Sequence, residues 1–302
     1  MNQPFPSRVD IREVSLRDGL QIEKPIPLSA KLELLAAVAA TGVREVEATA
    51  FVSPSKVPSM ADASELAAEL HNYPDIEFSA LVASPNGAKR AVAAGLRSIE
   101  YVVAADDTFS KANVGRSSAE ATDQIGEIVA IAHDSDVTVE VIVATAWDSP
   151  FEGPTPPQRV LDIAAAARDR GVDRFSIADT IGTTTPRRVS SLISQLRPVI
   201  GDMVLGGHFH NTRGAGLASA YAAVSSGVTR LDASVGGLGG CPFAPGATGN
   251  IATEDLVYLL RDSDIDVDVD LQAAIVAADV AKSLVGHDLP SALLRAGDRI
   301  RN

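Results

Sequence analysis

The sequence predicts an α/β protein, a closed (β/α)8 TIM barrel with additional C-terminal helices packed on it. Three observations carry this. Short β-branched runs alternate with Ala- and Leu-rich segments of helical period along almost the whole chain, the pattern of right-handed βαβ crossovers and a parallel sheet. Eight of each occur, the number that closes a barrel. No Gly-x-Gly-x-x-Gly follows the first strand, so the main rival, an open doubly wound sheet, lacks its signature.

In chain order, strand–helix pairs are expected at 9–16 with 29–40, 45–49 with 61–71, 76–82 with 85–94 and 98–103 with 119–133. The second half repeats the pattern at 137–143 with 156–170, 174–178 with 186–196, 203–208 with 214–226 and 230–235 with 253–261. Gly42, Gly95, Gly171 and Gly227 each follow a helix and precede strands two, four, six and eight, a weak internal repeat of paired units. Glycine at such positions takes the left-handed conformation that stops a helix. The 302 residues divide into two average domains, but α/β barrels run to ~250 residues as one. One catalytic domain over 1–302 is therefore expected, with the barrel over about 8–262 and extra helices over about 263–302.

Composition narrows the partners. The chain carries 26 basic and 39 acidic residues, a net charge of −13. Nucleic acid and anionic membrane surfaces attract the opposite sign, so neither is an expected partner. The start of the chain has no apolar stretch of secretory type, and no apolar helical run approaches the ~20 residues of a membrane span. A single cysteine, Cys241, excludes an internal disulfide framework and suits a reducing compartment. The expectation is a cytoplasmic protein.

Active sites of this fold lie at the C-terminal ends of the strands. Strand one ends in Arg17-Asp18-Gly19-Leu20-Gln21, strand two in Glu47, strand six in Asp179-Thr180 and strand seven in His208-Phe209-His210-Asn211. The loop after strand eight runs from Gly236 to Asn250 through Cys241. Residues i and i+2 of a strand share a face, so His208 and His210 can reach one ion; the alternative is a hydrogen-bonded structural pair. In a closed barrel strands one and seven flank strand eight, which brings Asp18 opposite the histidines, and Asn250 can add a neutral oxygen. This mixed nitrogen–oxygen set with open positions suits Mg2+ or Mn2+, with Co2+ or Zn2+ as alternatives. Arg17 offers a fixed cation to a developing oxyanion, and Glu47 can pair with it. Gln21, Asp179 and Thr180 are candidates for positioning substrate, although Asp179 equally suits a cap of the helix that follows. Cys241 sits in a run with five glycines in eleven residues, without apolar periodicity, and reads as a reactive thiol on a closing loop rather than a buried hydrophobe. The Gly-Leu-Gly-Gly segment lacks the Lys-Ser/Thr of a nucleotide-binding P-loop.

Together these pieces resemble the hydroxymethylglutaryl-CoA lyase family, within the metal-dependent lyase and synthase barrels that also include isopropylmalate and homocitrate synthases. The resemblance runs from about Val14 to Leu271 and includes Glu47 to Pro54, Asp179-Thr-Ile-Gly182 and Ala252 to Val257. The glycine–cysteine loop is its most specific part. The resemblance implies metal ligation by Asp18, His208, His210 and Asn250, with Arg17 and Cys241 catalytic and Asp18 or His208 as base. It also implies Mg2+ or Mn2+, an acyl-CoA substrate, a homodimer, and cleavage of 3-hydroxy-3-methylglutaryl-CoA to acetyl-CoA and acetoacetate. Three positions depart from the usual lyase pattern. Asn211 stands where lyases place Asp, and Thr145 and Ser149 stand where many have cysteines. The metal set is untouched, and a longer 3-branched hydroxyglutaryl-CoA stays open as substrate. Two other readings remain: a condensing transferase joining acetyl-CoA to a 2-oxo acid, and a metal- or acyl-CoA-binding barrel without turnover. The Cys241 loop and the lack of a regulatory domain speak against the first; intact Arg17, Asp18 and Cys241 speak against the second.

Overall fold

Eight strands, all parallel to their neighbours, close a barrel in the computed structural model, which describes residues 5–240 and 249–299. They are β1 (Asp10–Glu13), β2 (Glu45–Phe51), β3 (Glu77–Val82), β4 (Ser98–Ala104), β5 (Thr138–Ala144), β6 (Arg174–Asp179), β7 (Val204–Phe209) and β8 (Arg230–Ala233). Each pairs with its sequence neighbours, and β8 pairs with β1 to complete the ring. A two-residue hairpin, Asp148–Ser149 with Gly153–Pro154, decorates the loop after β5.

The outer ring begins with α1 (Leu28–Ala39), α2 (Ala63–Glu69) and α3 (Pro85–Ala93). α4 (Asp107–Val114), α5 (Ser118–Asp123) and α6 (Ile125–His133) lie between β4 and β5. α7 (Pro157–Asp169), α8 (Pro186–Ile200), α9 (Gly216–Ser225) and α10 (Thr253–Asp262) follow the later strands, and α11 (Leu271–Val285) and α12 (Ala292–Ala296) come last. Capping explains several starts. Ser84 accepts from the Gly87 amide before α3, and Ser117 with Glu120 forms a capping box at α5. The four repeat glycines all have positive φ, between 77° and 88°, as their helix-stopping role requires. At Gly42 a side chain would also collide with the Asp268 carbonyl, 2.8 Å from an added Cβ.

Three expected boundaries shift. The first strand ends at Glu13 rather than at residue 16, because 15–19 winds into a single π-helical turn. α4 was not anticipated: its sequence lacks an apolar stripe, and its start is held by the Asp106 carboxylate, 2.5 Å from the Phe109 amide. α8 continues past residue 196 through Pro198 to Ile200, with the hydrogen bond that the proline removes falling in its last turn.

Apolar side chains fill the space between strands and helices, as in Val46, Ile99, Val139 and Ile177. The barrel axis is different. Branched apolar layers normally occupy it; here Arg12, Glu100, Glu140, Arg230 and Asp232, all almost fully buried, form an ion network. Ser79 and Ser176 donate to Glu100 and Glu140. Among the described residues, no helix is long and apolar enough to cross a membrane.

The C-terminal segment fastens the loop that leaves β8. The Asp255 carboxylate accepts from Ser291 Oγ and from the amides of Ala292 and Leu293, and the Ser291 amide donates to the Gly236 carbonyl. Both Glu254 oxygens lie 3.1 Å from the Gly236 amide. Burial pushes the Glu254 carboxyl up to about 7. From about pH 4.5 to 7 the folded chain therefore holds a proton that the unfolded chain has released, so stability falls as pH rises through that window. At ~1.4 kcal/mol per pKa unit the full cost above it is about 3 kcal/mol. Glu254→Gln is expected to gain stability relative to wild type between pH 5 and pH 8, read from urea midpoints. Parallel pH profiles for the two proteins would contradict it.

Candidate active site

The π-helical turn at 15–19 forms because the Glu13 carboxylate accepts from the Ser15 amide and ties it to the turn after β8 through the Val235 amide, while the Gly19 amide reaches back to the Val14 carbonyl. Such single turns recur at functional sites. Here the turn aims Arg17 and Asp18 at the C-terminal mouth of the barrel. His208 ends the inward row of β7, and His210 follows in an antiparallel bridge with Asn250.

Asp18, His208 and His210 meet as expected. One ligand atom from each lies within 4.8 Å of those of the others, and all three side chains are buried. The rings of His208 and His210 are 5.0 Å apart. Asn250 Nδ2 donates to Asp18 Oδ2 at 2.7 Å, and its Oδ1 is buried without a hydrogen-bond partner among the described residues, as is His210 Nδ1. A carboxylate, two imidazoles and an amide with unmatched polar atoms are the donor set that a divalent ion requires. Burial alone raises the Asp18 carboxyl; Arg17 and the two imidazoles outweigh it and hold it well below the usual carboxylate range.

Arg17 donates through Nη1 to Asp18 Oδ1 at 2.8 Å and to Gln21 Oε1 at 3.1 Å. Its Nε lies 2.6 Å from Glu47 Oε1, an ion-pair distance without hydrogen-bond alignment. No partner among the described residues takes Nη2. Glu47 sits where the β2–β3 register shifts, and burial pushes its carboxyl well above the usual range, with Glu100 reinforcing the rise.

Asp179 lies at the end of β6, where the loop to α8 begins. Its two oxygens accept from the amides of Thr183 and Thr184 at 3.0 Å, so it shapes the loop before α8, the capping alternative. Thr180 does face the cavity, with its Oγ1 accepting from the Thr145 amide at 2.8 Å. The three departures from the lyase pattern hold backbone. Thr145, at φ 54°, donates to Ala144 O and accepts from Thr155; Ser149 Oγ accepts from the Phe151 amide; Asn211 Oδ1 accepts from the Gly216 amide before α9.

Cys241 lies outside the described residues. The neck of its loop is visible: an added Cβ on Gly249 would lie 2.2 Å from the Gly239 carbonyl carbon, and one on Gly239 2.7 Å from Asn250 Nδ2. Only glycine allows the two loop ends to close beside Asp18.

A cavity of about 1250 Å3 opens over these groups, lined by Arg17, Asp18, His208 and His210 and also by Lys56, Arg90 and Arg116. Sequence reasoning missed this basic rim, and it missed Asp232, whose Oδ2 lies 3.0 Å from His208 Nδ1. The available signal for Asp232 was an ionisable residue inside a strand run facing the His-x-His strand.

Fold and site together define a (β/α)8-barrel protein that gathers one carboxylate and two imidazoles able to hold a divalent ion at its mouth. The chain belongs to the HMGL-like family, whose profile matches residues 8–281. It is 35% identical to the cytoplasmic 3-hydroxy-3-methylglutaryl-CoA lyase of Rattus norvegicus over 98% of this chain and 87% of that protein. It is 38% identical to the (R)-citramalyl-CoA lyase of Chloroflexus aurantiacus over 96% of this chain and 95% of that one. The structure of an HMG-CoA lyase from Acinetobacter baumannii in complex with coenzyme A and 3-methylmalate superposes with a TM-score of 0.94 at 36% identity, covering 99% of this chain and 98% of the other.

Proposed function

We propose that the chain is a divalent-metal-dependent carbon–carbon lyase that cleaves 3-hydroxy-3-methylglutaryl-CoA to acetyl-CoA and acetoacetate. The observation that carries this reading is the Asp18–His208–His210 cluster beside an arginine whose Nη2 has no partner among the described residues. Lys56, Arg90 and Arg116 support an acyl-CoA substrate, because they concentrate positive charge at the cavity of a chain with net charge −13, where CoA phosphates would lie.

Asp18, His208, His210 and Asn250 would hold Mg2+ or Mn2+, and the bound ion supplies positive charge that acidifies the substrate's C3 hydroxyl. Asp18 takes the hydroxyl proton. The C2–C3 bond then breaks: C3 becomes a ketone carbon, and the bonding pair passes into the thioester as an enolate. Arg17 Nη2 donates to that oxygen, and the cation is matched to a charge present only after the bond begins to break. A proton returns to C2, from Cys241 or from a water that it positions, giving acetyl-CoA. Gln21 holds the Arg17 fork, and Thr180 offers its hydroxyl proton to substrate. A cytoplasmic homodimer belongs to the same reading, in line with the single cysteine and with the cytoplasmic rat relative.

The 38% identity to a citramalyl-CoA lyase supports a second acyl group on the same chemistry, a 3-hydroxyacyl-CoA with its carboxylate directly on C3. The test is incubation with both acyl-CoAs plus Mg2+ or Mn2+, with products read by mass spectrometry. Acetoacetate and acetyl-CoA from the first substrate are expected, with loss of turnover on chelation and recovery on adding the ion back. Pyruvate from citramalyl-CoA, with the first substrate untouched, would move the specificity. Metal-independent turnover, or none with either acyl-CoA, would overturn the reading.

A further inference from the structure

We propose that Asp232, locked by Arg12, is the positioning residue that fixes the tautomer and aim of His208. This rests on the reading of Asp18, His208 and His210 as the ion's site. The parallel ladders put three residues at one level: Arg12 on β1 is in register with Asp232 on β8, which is in register with His208 on β7. Side chains at one level of adjacent parallel strands share a face, and these three meet inside the barrel. Asp232 Oδ2 lies 3.0 Å from His208 Nδ1. A carboxylate only accepts, so the proton of the neutral ring sits on Nδ1 and the Nε2 lone pair is left for the ion.

Asp232 cannot turn away. Arg12 grips both of its oxygens in a fork, Nε to Oδ1 at 2.8 Å and Nη2 to Oδ2 at 2.7 Å. Arg12 is anchored in turn by Nη1 on Glu140, at 2.7 Å, and on Glu100. His210 has no such support among the described residues, where its Nδ1 is buried without a partner. Its direction comes from the backbone bridge to Asn250. The two imidazoles therefore differ: one is set by a side chain, the other by the chain path.

Asp232→Asn keeps the shape but sets an NH2 against one of the two Arg12 donors, so the fork opens and His208 loses the fixed, charged acceptor that holds its Nδ1 proton and its aim. Losing such a partner commonly weakens metal affinity about 10- to 100-fold. The experiment titrates Mn2+ by electron paramagnetic resonance into wild type, Asp232→Asn, His208→Gln and the double variant, with CoA binding followed in parallel. Expected are an affinity loss in that range for Asp232→Asn, a double variant no weaker than His208→Gln alone, and unchanged CoA affinity. Wild-type Mn2+ affinity in Asp232→Asn, or additive losses in the double variant, would overturn the proposal. Wild-type affinity in His208→Gln would instead sink the ion-site reading itself. Nitrogen NMR of 15N-histidine in the wild-type apoprotein needs no variant to fold: in the neutral form of His208 the proton is expected on Nδ1 and not on Nε2, and the opposite tautomer overturns the proposal.

Discussion

Replacing Arg17 by methionine is expected to lower kcat by about 10²–10³-fold while KM for the acyl-CoA changes little. The arginine holds Asp18 and Gln21 through Nη1 and lies against Glu47 through Nε, which leaves Nη2 as its contribution to a ligand. The proposed charge partner, an enolate oxygen, exists only along the reaction path. Removing the cation therefore takes away binding that substrate in its ground state never used. Asp18 also loses its nearest cation, so the comparison belongs at saturating Mn2+. Arg17→Lys should recover only part of the rate, because an ammonium point charge cannot engage Asp18, Glu47 and substrate in the planar fork that the guanidinium provides. Steady-state kinetics of the three proteins decide the matter. Near-normal kcat with a raised KM in Arg17→Met would make Arg17 a substrate-binding residue.

Periodicity and spacing revealed the barrel and its ligand cluster for the same reason: both depend on which face a residue occupies. His208 and His210 share a strand face whatever the neighbouring loops do, and closure of eight strands brings Asp18 around to meet them. What escaped depends on hydrogen bonds that no periodicity encodes. The run 14–16 reads as continuing strand, and only the Glu13 carboxylate on the Ser15 and Val235 amides turns it into the π-helical turn that presents Asp18. Asp179 and Asp232 look alike in sequence, each an acid in an apolar strand. One is consumed by the amides of Thr183 and Thr184, the other faces a histidine. The strands are buried on both faces, so alternation does not tell inward from outward. The axial ions were invisible for that reason.

Those axial ions set the largest expected effect on stability. Arg12 is 1% exposed and neutralises three carboxylates at once, on Asp232, Glu140 and Glu100. Arg12→Met fills a similar volume yet leaves them buried against one another, with Arg230 still reaching Glu140 at 2.6 Å. Removing one side of a buried ion cluster typically costs about 3–5 kcal/mol, because the remaining charges stay desolvated without their partner. That is a large share of the ~5–15 kcal/mol by which domains are stable. Urea unfolding of Arg12→Met should therefore show a much lower midpoint than wild type. Neutralising a carboxylate should restore part of the loss: Arg12→Met with Glu100→Gln should be more stable than Arg12→Met alone, a non-additivity expected of groups in one network. If Arg12→Met unfolds at the wild-type midpoint, the cluster contributes no net stability. If the second substitution worsens the first, Glu100 is held by Ser79 rather than by Arg12.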